Sequence, residues 1–110
     1  MPTVNVYFQK PEDFLALDRL TSQMKNYFAS SLTCGDIRLS PEEVSVRYIE
    51  AKGNGMIGNV ELEIKAHAFP ERVVRQDELC REAVAYIEKE APSVAPVKAW
   101  LQLSELGHSW

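Results

Sequence analysis

The sequence predicts an α+β fold, in which one four-stranded mixed sheet carries two helices on one of its faces. Two observations predict it. Four short segments alternate apolar and polar residues, as half-buried strands do, and two longer segments repeat apolar residues at helical spacing. The order strand, helix, strand occurs twice, beginning at Thr3 and again at Val60. We interpret the chain as one such unit used twice, which builds a two-layer sandwich.

Each predicted strand has one apolar face. In the first strand, Thr3–Phe8, every second residue is apolar and points to the same side. The other three strands follow the same period of two and are predicted at Val44–Ile49, Val60–Ala66 and Val97–Leu103.

Both helical segments open on proline, which a first helical turn tolerates. The first helix is predicted from Pro11 to about Ser30, and the second from Pro70 to the stop at Pro92. The stripes expected to face the sheet are Phe14, Leu17, Leu20, Thr21, Met24 and Phe28 on the first helix, and Val73, Gln76, Cys80, Ala83, Val84 and Ile87 on the second.

Two connections carry recognisable patterns. Ser40-Pro41-Glu42-Glu43 predicts a single capped turn. Gly53-x-Gly55-x-x-Gly58 matches a dinucleotide-binding fingerprint in form. That motif works only when a helix follows it, and here a strand follows, so we interpret the glycines as a flexible connection between strands.

The length of 110 residues predicts a single domain over residues 1–110. Twelve Lys and Arg against sixteen Asp and Glu give a net charge of −4, which argues against nucleic-acid binding. No apolar run approaches the roughly 20 residues of a membrane span, and no signal peptide is evident, so we expect no membrane association and a cytoplasmic protein. Cys34 and Cys80 are expected to be reduced thiols.

One face of the predicted sheet is left without a helical layer. Its polar residues are interspersed with Tyr, Ile and Trp, which favours a wet subunit interface over a plain solvated face. The residues predicted on it are Asn5, Tyr7, Ser45, Arg47, Ile49, Glu61, Glu63, Lys65, Lys98, Trp100 and Gln102.

The usual cofactor and nucleophile signals are weak. His67 and His108 have no second ligand at metal-binding spacing, so no metal site is predicted. Cys80 lies on an apolar stripe and is expected to be inert, whereas Cys34, in a loop, is the more reactive thiol. No nucleophile elbow or phosphate-binding loop is present in the sequence.

Pro2 is the remaining candidate for a catalytic residue. A Met-Pro start is ordinarily trimmed, and trimming would make Pro2 a free secondary amine. An apolar pocket near cations lowers the pKa of such an amine toward neutrality, where it can take a proton from carbon beside a carbonyl. The alternative is that Pro2 only begins a strand.

Three features together resemble the tautomerase superfamily: the Met1-Pro2-Thr3-Val4 start leading into a strand, the segment Leu39–Arg47 that enters the second strand, and the doubled unit. Over nearly the whole chain the sequence is similar to the two-unit members, the 5-carboxymethyl-2-hydroxymuconate isomerases and the macrophage migration inhibitory factors. The resemblance implies a homotrimer, in which three sheets surround a channel, and a cofactor-independent tautomerase or isomerase of small enol or keto acids.

The resemblance also implies site residues. Pro2 would be the general acid and base at a subunit boundary, and cationic side chains would hold the substrate. The positions nearest those roles are Arg38, Arg47, Lys98 and Trp100. The arginine of the isomerases on strand two aligns better with Ser45 than with Arg47, and Arg72 is only a near match to their second arginine.

Two other readings stay open at this point. A retained Met1 would keep the Pro2 nitrogen as an amide, and together with the mismatched arginines it would favour a non-catalytic trimeric binding protein of the same fold. The element order also suits a ferredoxin-like module for ligand binding or dimerisation.

Overall fold

A computed structural model describes residues 1–105 of the chain. Its four strands are β1 (Thr3–Phe8), β2 (Ser45–Glu50), β3 (Val60–His67) and β4 (Val97–Ser104). They form one sheet in the order β2-β1-β3-β4. β1 and β2 are parallel, β3 and β4 are parallel, and the central pair β1 and β3 is antiparallel. The predicted mixed sheet is therefore confirmed.

This strand order excludes the ferredoxin-like alternative. A ferredoxin-like module splits each strand-helix-strand unit, so that another strand lies between the two strands of the unit. Here the two strands of each unit are neighbours, and their register pairs Thr3 with Ser45 in the first unit and Val60 with Val97 in the second.

Each predicted helix is interrupted once. The first is divided into α1 (Pro11–Asp18) and α2 (Thr21–Leu32), and the second into α3 (Pro70–Val74) and α4 (Gln76–Glu90). At the first break the Thr21 hydroxyl donates to the Asp18 carbonyl at 2.9 Å, a side-chain bond that competes with the helical ladder.

The core lies between the apolar sheet face and the helices. Phe28, Met24 and Leu17 from the first helical region are fully buried, as are the β1 residues Val4 and Val6. On α4 the buried side chains are Leu79, Ala83 and Ile87, whereas Val73 on α3 is 49% exposed. The prediction that Val73 belongs to the buried stripe was wrong, because the break at Arg75 separates α3 from the face that α4 presents to the sheet.

The connections agree with their sequence patterns. Pro41–Glu43 is a single 3-10 turn, and the Ser40 N–H donates to Glu43 Oε1 at 3.0 Å. The glycine segment leads directly into β3, which is the opposite of what a dinucleotide fingerprint requires. None of the helices within residues 1–105 is long and apolar enough to cross a bilayer.

Candidate functional site

Pro2 lies at one end of the sheet. It is buried, and its carbonyl oxygen accepts a hydrogen bond from the Ser45 N–H at 3.0 Å where β2 begins. Because β3 runs antiparallel to β1, the last residues of β3 and β4 reach this same end. Met1, just before Pro2, is 52% exposed. Pro2 is therefore buried itself, but the residue directly before it is exposed to solvent.

Lys65 is the cation nearest to Pro2 along the sheet. It pairs with Thr3 across the central strands and projects from the polar face. Its ammonium group lies 3.9 Å from Glu63 Oε1, at a half-exposed position. The sequence did not single out Lys65 for the site, because its pairing with Thr3 depends on the register of two strands far apart in the chain.

Arg72 is buried near this end, and each of its three side-chain nitrogens donates to a main-chain carbonyl. Its Nε and Nη2 donate to the Leu32 carbonyl at 3.0 and 2.8 Å, and Nη1 donates to the His67 carbonyl at 2.9 Å. The guanidinium also stacks over Phe69, 4.9 Å from the ring centre. Burial lowers the pKa of Arg72. A substrate would have to compete for these donors, so Arg72 supports the end of the sheet and is not positioned to grip a carboxylate.

The two arginines predicted to bind substrate are both exposed. Arg38 lies in the loop after α2, where it lines a depression with Asn26, Thr33 and Leu39. Arg47 lies on the polar face opposite Asn5, and its Nε donates to the Ser45 hydroxyl at 3.3 Å. Within residues 1–105, Arg47 forms no ion pair with Glu61 or Glu63 on the same face.

Lys98 lies toward the other end of the sheet, whereas Trp100 lies on the edge strand β4 in the row of Glu63 and Asn5. Lys98 pairs with Glu61, which in turn pairs with Tyr7. At about 3.3 Å per residue this row is roughly 13 Å along the strands from Thr3. Trp100 is 40% exposed and stacks on Tyr7, with the ring centres 6.4 Å apart. One protomer therefore does not bring Lys98 and Trp100 to Pro2.

A network on the polar face centres on Glu63. Its Oε1 accepts from Asn5 Nδ2 at 2.8 Å and from the Tyr7 hydroxyl at 3.2 Å. Donation from Asn5 is the main cause that holds the pKa of Glu63 below its ordinary value, and the Lys65 charge adds to it. The pKa of Tyr7 is raised, first by burial and then by the Glu63 charge. Asn5 Oδ1 is buried and has no hydrogen-bond partner within residues 1–105.

The loop from Ala51 to Asn59 is tied to the same face by a second carboxylate. Glu61 is 8% exposed, and its Oε2 accepts from the Ile57 N–H at 2.6 Å and the Gly58 N–H at 3.4 Å. A Cβ on Gly58 would meet the Pro96 carbonyl oxygen at 2.9 Å. Gly58 is therefore needed for close packing of two main chains.

The other chemical candidates contribute little. Cys34 and Cys80 are free and half-buried, and burial is the main cause that raises the pKa of Cys80, as expected for an inert thiol. Residues 1–105 contain no cluster of three His, Cys, Asp or Glu side chains that could hold a metal ion. His108 lies outside the described residues.

Comparison with known proteins identifies the fold. No family model and no curated protein matches the sequence. Among solved structures, a macrophage migration inhibitory factor-like protein from Entamoeba histolytica superposes with a TM-score of 0.62 at 10% identity, covering 98% of this chain and 95% of that one. MIF2 of Leishmania major gives 0.57 at 10% identity, covering 100% and 93%. N1, a member of the cis-3-chloroacrylic acid dehalogenase family, gives 0.51 at 11% identity, covering 94% and 74%.

These neighbours are proteins of the tautomerase superfamily, and the chain has their fold. The resemblance drawn from the sequence is thus confirmed at the level of fold. At identities this low the likeness does not extend to an activity.

Proposed function

We propose that the protein is a cofactor-independent tautomerase or isomerase of small enol or keto acids, with Pro2 as general acid and base after removal of Met1. The observation that carries the proposal is the position of Pro2, which is buried directly before β1 and follows the exposed Met1 at the end of the sheet. The shared fold supports the same reading.

The chemistry follows from the surroundings of the amine. Burial disfavours the charged ammonium form, so it lowers the pKa of a secondary amine and leaves a basic lone pair near neutral pH. Lys65, beside Thr3 on the sheet, and the buried Arg72 add positive charge at the same end of the sheet. A neutral Pro2 would remove a proton from carbon next to the carbonyl and return it at the other end of the conjugated system. The half-exposed ammonium group of Lys65 would stabilise the dienolate formed between the two transfers.

The substrate contacts require a second protomer. In the proposed homotrimer, Arg38 and Arg47 would hold the carboxylate from the same chain as Pro2, and Lys98 and Trp100 would come from a neighbouring chain. The unpartnered Asn5 Oδ1 on the polar face also supports an interface there, because a neighbour could donate to it. Light scattering should give a mass of about three chains, and a stable monomer would contradict this part of the proposal.

The test of catalysis is turnover by processed protein. Intact mass first establishes that Met1 has been removed, and ketonisation of phenylenolpyruvate and of 2-hydroxymuconate is then followed by absorbance. We expect Pro2→Ala to lower the rate about 100-fold or more, the size of a general acid and base effect. Pro11→Ala, at an exposed proline that opens α1, is the control and should keep the rate. Equal inactivity of processed wild type and Pro2→Ala on both acids would overturn the proposal.

A second candidate is a non-catalytic binding protein of the same fold. The specific observation that favours it is Arg72, whose donors are occupied by carbonyls instead of facing a ligand. Mass spectrometry of untagged protein from its own cell separates the two candidates. If the measured mass includes Met1, the Pro2 nitrogen is part of an amide and has no basic lone pair. That result supports the non-catalytic binding protein.

A further inference from the structure

His67 is the last residue of β3 and lies at the Pro2 end of the sheet. It is two residues beyond Lys65, which pairs with Thr3, the residue directly after Pro2. Two residues of a strand advance about 7 Å, and successive side chains alternate between the faces, so His67 shares the polar face with Lys65. His67 is half-buried. The strand register therefore places its ring at the end of the sheet where the amine of a processed Pro2 would lie.

The surroundings of His67 hold its ring in place. Its carbonyl oxygen accepts from Arg72 Nη1 at 2.9 Å and from the Phe69 N–H at 3.1 Å. The ring packs on Phe69, with the ring centres 4.5 Å apart, and the Arg72 guanidinium lies over the Phe69 ring. Within residues 1–105 these hydrogen bonds use the main chain of His67 and not its side chain. The two ring nitrogens therefore stay available to a ligand as donor and acceptor.

The proposed reaction moves two protons, and a second proton-exchanging group is needed unless Pro2 carries both. When an enol acid becomes a keto acid, a carbon atom gains a proton and the enol oxygen loses one. Arg72 cannot take up that proton, because a guanidinium keeps its protons in proteins. Histidine is the side chain that ordinarily exchanges a proton between pH 5 and 8, and His67 is the one histidine within residues 1–105.

We propose that His67 exchanges the proton on the substrate oxygen, while Pro2 exchanges the proton on carbon. This inference rests on the proposed function and adds a residue to it. In ketonisation of phenylenolpyruvate, neutral His67 takes the proton of the enol O–H group, and the electron pair of that bond forms the carbonyl. The electrons of the carbon–carbon double bond take the proton of the Pro2 ammonium group. His67 then releases its proton to water and Pro2 takes one from water, which restores both residues.

Two variants of His67 separate proton exchange from packing. His67→Gln still forms hydrogen bonds but cannot exchange a proton, and we expect it to lower kcat for phenylenolpyruvate about 100-fold. KM should stay within about threefold, because the lost interaction belongs to the transition state. His67→Phe keeps an aromatic ring beside Phe69 and should lose as much activity. Ser104→Ala, at the exposed residue that pairs with His67 on β4, is the control and should keep kcat. Urea denaturation checks that each variant is folded.

The pH profile of kcat gives a readout that a packing role would not change. His67 must be neutral to accept the enol proton, so the wild-type rate should fall in acid, and His67→Gln should lose this fall. The variants leave the other charged groups near His67 in place, which are Lys65 on β3, Glu71 and Arg72 on α3, and Glu105 after β4.

The outcomes distinguish this inference from the proposed function. Wild-type kcat in His67→Gln, with turnover lost in Pro2→Ala, would overturn the role of His67 alone, because Pro2 would then carry both protons. A reduced rate that keeps the same fall in acid would also overturn it, since His67 would then act through packing. If processed wild type turns over neither acid, the proposed function fails and this inference fails with it.

Discussion

Arg72 holds the Leu32 carbonyl with two hydrogen bonds, from Nε at 3.0 Å and from Nη2 at 2.8 Å. Its third bond, to the His67 carbonyl, joins the end of α2 to the end of β3. A buried guanidinium without a carboxylate partner is unusual, since desolvation of a charge is costly. The carbonyl at the C-terminal end of α2 offsets part of this cost, because helix C-termini carry partial negative charge.

Replacing Arg72 tests this role. We expect Arg72→Met to lower the free energy of unfolding by about 2 kcal/mol, because the Leu32 and His67 carbonyls lose buried donors. The measurement is urea denaturation. Arg75→Met is the control, since Arg75 forms only half-exposed ion pairs with Glu78 and Glu82. The loss in free energy of unfolding of Arg75→Met should stay below about 1 kcal/mol. Equal losses in the two variants would show that the Arg72 bonds contribute no special stability.

Glu63 makes stability depend on pH. Donation from Asn5 keeps the pKa of Glu63 lower in the folded state than in the unfolded chain, where it is about 4.3. The stabilisation from ionised Glu63 is therefore complete above that value and is lost as pH falls through the lower folded pKa. We expect the difference in unfolding free energy between wild type and Glu63→Gln to be largest at neutral pH and to shrink in acid. Urea denaturation across this range measures it, with the exposed Glu12→Gln as control. A difference that is independent of pH would contradict the prediction.

Glu61 anchors the loop before β3. Removing its carboxylate in Glu61→Ala leaves the Ile57 N–H without its acceptor, and we expect a loss of about 1–3 kcal/mol together with faster hydrogen exchange at that amide. Glu61→Gln keeps an acceptor oxygen and should retain most of the protection. Amide exchange followed by NMR distinguishes the two variants. Unchanged exchange at Ile57 in Glu61→Ala would show that the bond does not hold the loop.

Gly58 and Gly55 form a matched pair in one loop. A Cβ on Gly58 would lie 2.9 Å from the Pro96 carbonyl oxygen and 3.0 Å from Lys98 Cγ, whereas a Cβ on Gly55 would meet nothing within 4 Å. We expect Gly58→Ala to lower the free energy of unfolding by about 1–3 kcal/mol, because the added methyl group overpacks this contact. Gly55→Ala should change stability by less than about 0.5 kcal/mol. Thermal or urea denaturation of both variants provides the comparison, and equal stability would contradict the predicted clash.

The alternation of residues along each strand was enough to predict the two faces of the sheet. Val4, Val6, Leu62 and Ile64 are buried, and the residues predicted on the polar face share that face in the strand register. Such patterns are local, since successive side chains of a strand point to opposite sides whatever lies beside it. The capped turn at Ser40 and the rejection of the dinucleotide motif depended on equally local information.

The residues of the candidate site were harder to predict from the sequence. Arg38 and Arg47 resemble Arg72 as charged residues in the sequence, yet only Arg72 is buried, because carbonyls of Leu32 and His67 surround it. Lys65 reaches the Pro2 end only through the antiparallel pairing of β1 with β3. Periodicity assigns a side chain to a face, but the long-range register of the strands sets its distance from Pro2. The packing of the helix ends then determines whether a charged side chain is exposed, as Arg38 is, or already bonded to main-chain carbonyls, as Arg72 is.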